Sequence, residues 1–413
     1  MTTSTFAFWT SLLSLPDYEV VYCQKESDLQ RYSITVAPSR RLGVCPHCGQ
    51  LSDNVHQTRT REHIKDLPIS AEAVELKVRV LQFKCACGHC FTPPIPFLAE
   101  GSHATERFLE HAATLIRTSD VANAAAVLGV PERTLGDWYY DFLQRRPNPT
   151  GKPLKVIRRI GIDELALKKK HQQYVAVIVD HDNQRILEVL ENREKATILA
   201  YLQKARQEGL LAHVEEVTTD MWDAYVSAAR GAFGDKVVIT VDRFHVMKNF
   251  QDCLTSARRE LQRQMSNVER KELKGSRWLW LTNPENLTPE AARELETLKQ
   301  RFPRLGEVAD QREALRAIFE DRTIQNPAAG RRRLEAWLKQ VEALGLAALA
   351  PFCKTMRNWF DKISNYFRSR SSNGRTEGFN HGLRAILWRA FGMASFQNFR
   401  LRALHCFGLG MIS

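Results

Sequence analysis

Two short apolar runs rich in β-branched residues each end in an aspartate, and no other feature constrains the fold of this chain as strongly. Asp163 follows the run 156–162, and Asp220 follows the run 214–219. A carboxylate at the end of a buried strand is expensive to desolvate unless a cation or a hydrogen-bond donor compensates it. We therefore expect both aspartates to face a compensating group. The alternative is that each aspartate caps the helix that follows it.

The segment around the two aspartates predicts a regular series of strands and helices, because apolar alternation gives way twice to helical spacing. Three strands, helix, strand, helix, strand is the order of a ribonuclease-H-like domain. In that fold the first and fourth strands are neighbours, so Asp163 and Asp220 are predicted to lie at the ends of adjacent strands. The predicted elements are strands at 156–162, 173–179 and 185–190, a helix at 193–208, a strand at 214–219, a helix at 222–233 and a strand at 236–241.

A third carboxylate, Glu377, lies at the start of a predicted helix. The window 366–405 contains seven arginines, no lysine and one acid, which is Glu377 itself. A single carboxylate in basic surroundings suits a site that holds metal ions and phosphates together. A solvated, charged helix face is the alternative. The arginines predicted to contact DNA here are Arg368, Arg370, Arg375 and Arg384.

Three carboxylates from separate elements meet the requirement of a two-metal phosphodiester site. Two divalent ions clamp the attacking and leaving oxygens of an in-line displacement, and carboxylates are their preferred hard ligands. We therefore predict that Asp163, Asp220 and Glu377 bind two Mg²⁺ or Mn²⁺ ions. Asp242 and His245 follow the last predicted strand at helical spacing. They are predicted to orient an active-site carboxylate or a DNA strand, and a helix N-cap with a packed histidine is the alternative.

Composition favours a nucleic-acid partner and excludes a membrane span. The chain has 413 residues, 59 Lys and Arg against 47 Asp and Glu, and a formal net charge of +12. This length implies more than one domain, and the positive charge favours binding to double-stranded DNA. No apolar run approaches the ~18 residues of a membrane span. We expect a cytoplasmic, nucleoid-associated protein with reduced cysteines.

Five of the nine cysteines lie within residues 45–90, at spacings typical of a zinc site. Paired thiols in a reducing compartment are typical of a structural Zn²⁺ with four protein ligands. One Zn²⁺ is predicted on the first two cysteines and on two of the last three, and the choice among those three stays open. Histidines 47 and 89 are weaker candidates, and ordinary buried thiols are the alternative. The five cysteines are Cys45, Cys48, Cys85, Cys87 and Cys90.

Residues 104–143 predict a helix-turn-helix. A short helix at 119–128 is followed by a glycine turn and by a second helix with Pro131 in its first turn. The second helix of such a motif places its N-terminal residues in the major groove. Arg133 and Thr134 are therefore predicted to contact DNA. Two unrelated short helices joined through a glycine are the alternative.

The expected fold class is a multidomain α+β protein in which a helical insertion interrupts the catalytic domain. Proline-rich residues 147–153 predict a linker. Many more residues separate Asp220 from Glu377 than separate the two aspartates, which indicates an insertion; a separate helical bundle is the alternative. Trp278 and three other tryptophans of this region are expected in the core. The predicted segments are 1–100, a zinc-binding β module; 101–146, the helix-turn-helix; 154–250, the first part of the ribonuclease-H-like core; 251–365, the all-helical insertion; and 366–413, the C-terminal helices of the core.

In chain order, five segments of the sequence resemble the bacterial insertion-sequence transposases of the ISL3 family. The resemblance implies a DDE transposase in which Asp163, Asp220 and Glu377 bind the catalytic metals. It also implies that Asp242 and His245 form the family's acidic-residue-x-x-His signature. Cys87 is an extra cysteine relative to the family pattern. The five segments are Cys45–Gly49 (CPHCG), Gly161–Glu164 (GIDE), Thr219–Trp222 (TDMW), Asp242–Val246 (DRFHV) and Ser372–Asn380 (SNGRTEGFN).

The function implied by this resemblance is cleavage and joining of DNA. The zinc module and the helix-turn-helix would bind the terminal inverted repeats of an insertion sequence. Metal-assisted hydrolysis would free a 3′-hydroxyl, which would then attack target DNA. Because two ends are joined in concert, we expect a homodimer on DNA. The alternatives are a DNA-binding regulator with an inactive carboxylate domain and a structure-specific nuclease.

Overall fold

The structure, a computed structural model, describes residues 3–146, 155–168, 173–266, 270, 273–371, 374–390, 393 and 395–408. The chain is a mixed α+β protein that divides into two compact units. Unit one is Met1–Pro149 with Ala385–Cys406, and unit two is Thr150–Arg384 with Phe407–Ser413. The linker predicted at 147–153 lies outside the described residues.

Unit one begins with a β module in which a five-stranded sheet has the order β1-β2-β6-β5, with β7 paired to β6. Val74, Leu76, Val78 and Val80 alternate along β6, and all four side chains are buried. Such alternation is typical of a strand with one buried face. The elements of the module are α1 (Thr3–Leu13), β1 (Tyr18–Glu26), β2 (Arg31–Pro38), β3 (Gly43–Val44), β4 (Leu51–Ser52), β5 (Val55–Ile69), β6 (Glu72–Lys84) and β7 (Cys90–Phe91), with a 3₁₀ turn at Ser27–Leu29.

Three helices follow in unit one, α2 (Glu106–Thr118), α3 (Val121–Leu128) and α4 (Glu132–Arg145). Polar side chains cap the first two: Thr105 accepts a hydrogen bond from the Phe108 N–H, and Asp120 accepts one from the Asn123 N–H. Gly129, at φ +62°, ends α3 in the left-handed conformation that glycine adopts without strain. The apolar faces of the three helices share one buried core.

Unit two contains a second five-stranded sheet, of order β10-β9-β8-β11-β12. Its first three strands are antiparallel, and β11 is parallel to both β8 and β12. The first and fourth strands are therefore neighbours, as the element order predicted. The elements are β8 (Arg159–Lys168), β9 (Gln173–Asp180), β10 (Arg185–Leu190), α5 (Lys195–Gln207), β11 (Glu216–Thr219), α6 (Asp223–Phe233) and β12 (Val238–Val241).

Asp163 does not end its strand, contrary to the sequence prediction. Strand β8 continues to Lys168, because residues beyond Asp163 keep pairing with β9; Leu165, for example, pairs with Val175 and is fully buried. The apolar run alone could not reveal this, since the extension contains Glu164. Asp163 is therefore not a helix cap. Asp220 does follow directly after β11.

A helical region follows the second sheet. It packs around one apolar core that also includes Val241 of β12, so it is continuous with the sheet of unit two. Trp280 and Trp337 are buried in this core, but Trp278 is 67% exposed, which corrects its predicted core position. The elements are α7 (Arg243–Gln264), α8 (Arg277–Leu281), α9 (Pro289–Arg301), α10 (Pro303–Glu320), α11 (Pro327–Ala343), α12 (Ala350–Ser364) and α13 (Tyr366–Ser369), with 3₁₀ turns at Pro284–Asn286 and Ala347–Leu349.

The last two helices are α14 (Gly374–Arg389) and α15 (Phe396–Phe407). We expected residues 366–413 as a whole to complete the catalytic core, but residues 385–406 belong to unit one. The reason is visible in α15, where buried Arg402 donates hydrogen bonds to the carbonyls of Ile116 in the last turn of α2 and of Ser119 directly after it. None of the helices in the described part of the chain has both the length and the apolar character needed to span a bilayer.

Candidate active site

Asp163 lies within β8, and Asp220 follows directly after the neighbouring parallel strand β11. The last pair of the β8–β11 ladder is Gly161 opposite Thr218. Each aspartate lies two residues beyond that pair along its own strand. Side chains alternate between the two faces of a strand, and neighbouring strands lie about 4.8 Å apart. The sheet therefore brings both residues to the same edge, where the charge of Asp220 acts on the Asp163 carboxyl group.

The Asp163 carboxyl group is buried among negative charges. Only 7% of Asp163 is exposed. Burial, together with the charges of Asp220, Asp242 and Glu164, raises the pKa of Asp163 to about 7, although the Glu164 N–H donates a hydrogen bond of 2.7 Å to it. Burial and the charge of Glu164 also raise the pKa of Asp220 to about 6. Neither carboxylate forms an ion pair with a described lysine or arginine, so both favour an added cation.

The nearest potential cations of the protein do not supply that charge. His245 Nε2 lies 3.9 Å from Asp163 Oδ1, but burial and Lys248 lower the pKa of His245 to about 4, so its ring is neutral near pH 7. Arg193 instead forms an ion pair with Glu164. Its guanidinium lies over the rings of Tyr174 and Trp222, at 4.2 and 4.6 Å. Neither Glu164 nor Arg193 was among the predicted site residues.

Asp242 caps α7, since its side chain accepts a hydrogen bond of 3.3 Å from the Phe244 N–H. The sequence left open whether Asp242 is a helix N-cap or a residue that acts on an active-site carboxylate, and the two roles are compatible. Asp242 fixes the start of the helix, and its negative charge also acts on Asp163. Because His245 lies in the first turn of that helix, the cap also fixes the distance between His245 and Asp163.

Helix α14 contacts β8 through a residue that was not predicted as part of the site. Asn380 Nδ2 donates a hydrogen bond of 2.9 Å to Asp163 Oδ2. Glu377 lies one helical turn before Asn380 on the same face, where side chains are about 5–6 Å apart. The Glu377 side chain is 43% exposed, and His381 Nε2 lies 4.0 Å from it. The helix therefore brings Glu377 towards the strand that carries Asp163.

The three carboxylates do not form one tight cluster. We looked among the described residues for groups of at least three His, Cys, Asp or Glu side chains whose ligand atoms all lie within 4.8 Å of one another. The one such group consists of cysteines. Ligands divided between two ions that are about 3.5–4 Å apart do not need to meet that limit. One further oxygen is available, because Asn380 Oδ1 is buried and has no hydrogen-bond partner within the described residues.

Two hydrogen-bonded serines attach the segment before α14 to the sheet of unit two. Ser369 and Ser371 donate hydrogen bonds of 2.8 and 3.3 Å to the buried carboxylate of Glu216 on β11. Asn365 Nδ2 donates one of 2.8 Å to the Ile239 carbonyl on β12. These contacts fix the segment 365–371 relative to strands β11 and β12.

The predicted DNA-binding arginines have different environments. The guanidinium of Arg370 donates hydrogen bonds to the carbonyls of Phe319, Asp321 and Ile324 at the end of α10. This corrects the prediction that Arg370 contacts DNA, because its donors are used inside unit two. Arg368, Arg384 and Arg133 are exposed, Thr134 is partly exposed, and the side chain of Arg375 lies outside the described residues.

Four of the five clustered cysteines lie together at one end of the β module. The sulfurs of Cys45, Cys48, Cys85 and Cys87 are all within 4.8 Å of one another. Cys90 is not in this group, because it opens β7 and pairs with Lys84 of β6. Of the three cysteines among which the sequence left the choice open, the structure therefore groups Cys85 and Cys87 with Cys45 and Cys48. The rings of His47 and His89 stack on each other, 5.7 Å apart, and neither belongs to the group.

Glycine turns shape both halves of the cysteine group. The Gly49 N–H donates to the Cys45 carbonyl, and the Gly88 N–H donates to the Cys85 carbonyl, both at 2.9 Å. Both glycines have positive φ, at +74° and +87°, which favours glycine over other residues. Each turn folds the chain back so that neighbouring thiols point to the same centre. Four cysteine sulfurs at this separation fit a structural Zn²⁺.

Comparison with known proteins agrees with this arrangement. Residues 160–403 match the DDE family model of ISL3-type transposases, which covers more than half of the chain. Residues 41–90 match the zinc-finger model of the transposases of IS204, IS1001, IS1096 and IS1165. The chain therefore belongs to the ISL3 family of insertion-sequence transposases.

Individual relatives support the same assignment. The chain is 27% identical over 374 residues to the transposase of insertion sequence IS1001 from Bordetella parapertussis, which covers 90% of each protein. It is 25% identical over 262 residues to the transposase of IS1557 from Mycobacterium tuberculosis, which covers 58% of this chain and 57% of the relative. Membership of this family implies DNA binding and DNA recombination.

Proposed function

We propose that the protein binds the terminal inverted repeats of an insertion sequence, cleaves the DNA at those ends and joins the freed 3′-hydroxyls to target DNA. The observation that carries this proposal is the in-register placement of Asp163 and Asp220, with α14 attached to the same strand through Asn380. The strand order of unit two agrees with the order predicted for a ribonuclease-H-like domain, and this supports assigning the carboxylates to the catalytic edge of such a fold.

The residues of this site fit divalent metal ions. Buried carboxylates with raised pKa values and a buried amide oxygen without a hydrogen-bond partner among the described residues form a set of hard oxygen donors with excess negative charge. Asp163, Asp220 and Glu377 would hold two Mg²⁺ or Mn²⁺ ions. When bound, such ions would activate the attacking water in cleavage and the attacking 3′-hydroxyl in strand transfer, and would stabilise the leaving oxygen in both steps.

The protein's own side chains would keep the ligands in position. Asn380 holds one oxygen of Asp163, and Glu216 fixes the segment before α14 through two serines. Arg193 neutralises Glu164 and leaves the other carboxylates free for metal. Neutral His245 lies 3.9 Å from Asp163, where it can accept or donate a hydrogen bond at the edge of the site without competing as a cation.

Unit one supplies the candidate DNA-recognition elements. Helices α3 and α4 are joined by a glycine turn in the manner of a helix-turn-helix, and exposed Arg133 lies in the first turn of α4. Residues at that position of a recognition helix reach the major groove. The cysteine module would add a second recognition element, and two copies of the chain would hold the two DNA ends as a homodimer.

The test uses purified full-length protein, Mg²⁺ and a duplex that carries the inverted repeat flanking the gene. We expect cleavage at the repeat end with a free 3′-hydroxyl, and joining of that end to a second duplex. A protein that binds the repeat without cutting would be a regulator. A protein that cuts without preference for the repeat and without joining would be a nuclease. Either result would reject the proposal.

The carboxylates predict how pH and metal affect stability. Asp163 ionises near pH 3.8 as a free side chain and near pH 7 in the folded protein, so the folded chain binds the extra proton between these values. The free energy of unfolding of the metal-free protein should therefore fall as the pH rises through this window. Mg²⁺ binds the ionised form, so it should stabilise the protein at pH 8, by about 2.7 kcal/mol at one hundred times its Kd, and much less at pH 5.

Thermal unfolding with and without Mg²⁺ at these two pH values measures the effect. In Asp163→Asn, the shift caused by Mg²⁺ at pH 8 should be lost, and the metal-free protein should be less sensitive to pH. An equal Mg²⁺ shift at pH 5 and pH 8, or an unchanged shift in Asp163→Asn, would show that the ion binds elsewhere.

A further inference from the structure

A basic surface lies around the C-terminal end of α7. We define the basic patch as the exposed residues Arg259, Arg263, Arg270, Lys274 and Arg277. Residues 258–278 contain seven Lys and Arg against three Glu. Within the part of the chain that the structure describes, none of the five patch residues forms an ion pair. Within those described residues, no ion pair therefore neutralises the positive charge of the patch.

A buried arginine holds the two parts of the patch together. Arg258 is 9% exposed and donates hydrogen bonds of 3.1 Å to the Gln262 side chain and to the Leu273 carbonyl. Arg270 Nε donates one of 3.0 Å to the Gln262 carbonyl. The end of α7 is therefore joined to the turn that leads into α8. Burial and the nearby charges of Arg259 and Arg277 lower the pKa of Arg258, as expected where like charges lie close together.

An exposed tryptophan borders the patch. Trp278 is 67% exposed, and the Arg277 guanidinium lies 5.0 Å from its ring centre. Trp280, two residues later in the same helix, is only 2% exposed, so the helix buries one indole and presents the other. A flat apolar group beside several cations suits a sugar-phosphate backbone, because the ring can pack on deoxyribose while the cations contact phosphates.

Helix α7 connects this patch to the carboxylate site within unit two. The helix begins at Arg243, directly after Asp242, and runs without interruption to Gln264. From His245 beside Asp163, Arg259 and Arg263 lie further along the same helix by roughly 21 and 27 Å at 1.5 Å per residue. In B-form DNA, these distances correspond to about 6–8 base pairs at 3.4 Å each.

We propose that the basic patch and Trp278 bind the backbone of the DNA duplex engaged at the carboxylate site, about 6–8 base pairs from the phosphate that is cut, without reading its sequence. This inference rests on the proposed function, because it takes DNA as the substrate of unit two. The length of helix α7 then sets the distance between the carboxylate site and this second contact with the duplex.

The test compares full-length wild type with Arg259→Glu/Arg263→Glu. The matched control is Arg332→Glu/Lys339→Glu, which reverses two exposed charges on α11 of the same unit. Kd is measured by fluorescence anisotropy, across salt concentrations, on duplexes that carry the terminal repeat. Two series of duplexes are shortened from one side at a time, from about 12 to about 4 base pairs beyond the cut. Loss of two phosphate contacts lowers the salt slope by about 2 and weakens binding roughly tenfold or more.

The expected result is a length threshold on one of the two series. On long duplexes the patch variant should bind at least about tenfold more weakly than wild type and than the control. Below about 6 base pairs on that side, wild type and the patch variant should bind equally, because the duplex no longer reaches the patch. Trp278→Ala should weaken binding with the same length threshold and without a change in salt slope.

Three outcomes would overturn the inference: equal Kd values for wild type and patch variant on long duplexes, a difference that is independent of length on both sides, or an equal loss in the α11 control. A parallel cleavage assay with Asp220→Asn separates this failure from failure of the proposed function. If Asp220→Asn abolishes cleavage while the patch variant binds like wild type, the proposed function stands, and the inference that the basic patch binds the DNA backbone is wrong.

Discussion

Replacing Asp220 with asparagine is expected to slow DNA strand cleavage by about a thousandfold while leaving binding to end DNA unchanged or stronger. The asparagine keeps the size of the side chain but removes a hard, charged metal ligand, and metal ions stabilise such transition states by several kcal/mol, or about three orders of magnitude in rate. Binding should not weaken, because the change removes a negative charge close to the phosphates. Cleavage and gel-shift assays on one DNA measure both effects.

Asp223→Asn is the matched control for this prediction. Asp223 is exposed in the first turn of α6, three residues after Asp220, and loses the same charge without removing a proposed ligand. It should cleave at nearly the wild-type rate. Full cleavage by Asp220→Asn in Mg²⁺, or equal loss in both variants, would contradict the assignment of Asp220 as a catalytic ligand.

Replacing Cys85 with serine is expected to remove zinc and with it the binding to end DNA. A structural Zn²⁺ contributes about 10–16 kcal/mol of apparent binding free energy in zinc-finger peptides, which is far more than the small cluster around Phe83 and Phe91 can supply. Elemental analysis should find about one zinc per chain in wild type and almost none in Cys85→Ser. A gel shift should show the loss of end-specific binding in the same preparation.

Cys90→Ser is a sharp control, because Cys90 belongs to the same Cys-x-Cys-x-x-Cys segment but lies outside the group of four sulfurs. It should keep its zinc and its DNA binding. Loss of zinc from Cys90→Ser, with retention in Cys85→Ser, would show that the ligand set contains Cys90 instead of Cys85.

The element order and the carboxylate-bearing strands could be predicted because they depend on local periodicity. Apolar alternation and helical spacing identified the strands of the second sheet and the two helices between them. Pairing register is not local. The extension of β8 beyond Asp163 depends on β9, and the position of Cys90 depends on its pairing with β6. Spacing along the chain could therefore suggest candidate zinc ligands and an approximate end for β8, but it could not decide which cysteines come together or where the strand ends.

Side-chain roles that depend on distant partners were missed or misassigned for the same reason. Arg370 resembled the other arginines of its window, but three carbonyls at the end of α10 use its donors. The sequence identified Asn380 only as the last residue of the segment Ser372–Asn380. Its role in the site follows from its hydrogen bond to Asp163, which the sequence did not predict. Trp278 looked like a core tryptophan, because nothing in a five-residue helix predicts which of its two indoles faces solvent.

The central claim is that Asp163, Asp220 and Glu377 share bound metal ions, and iron-mediated cleavage of the protein backbone tests it most directly. Fe²⁺ replaces Mg²⁺ in the full-length protein bound to end DNA, and ascorbate with peroxide then cuts the chain close to the ion. The account predicts cuts clustered near residues 163, 220 and 377, which excess Mg²⁺ suppresses and which Asp220→Asn abolishes. Cuts near 163 and 220 without any near 377 would contradict it, because Glu377 would then not reach the metal site.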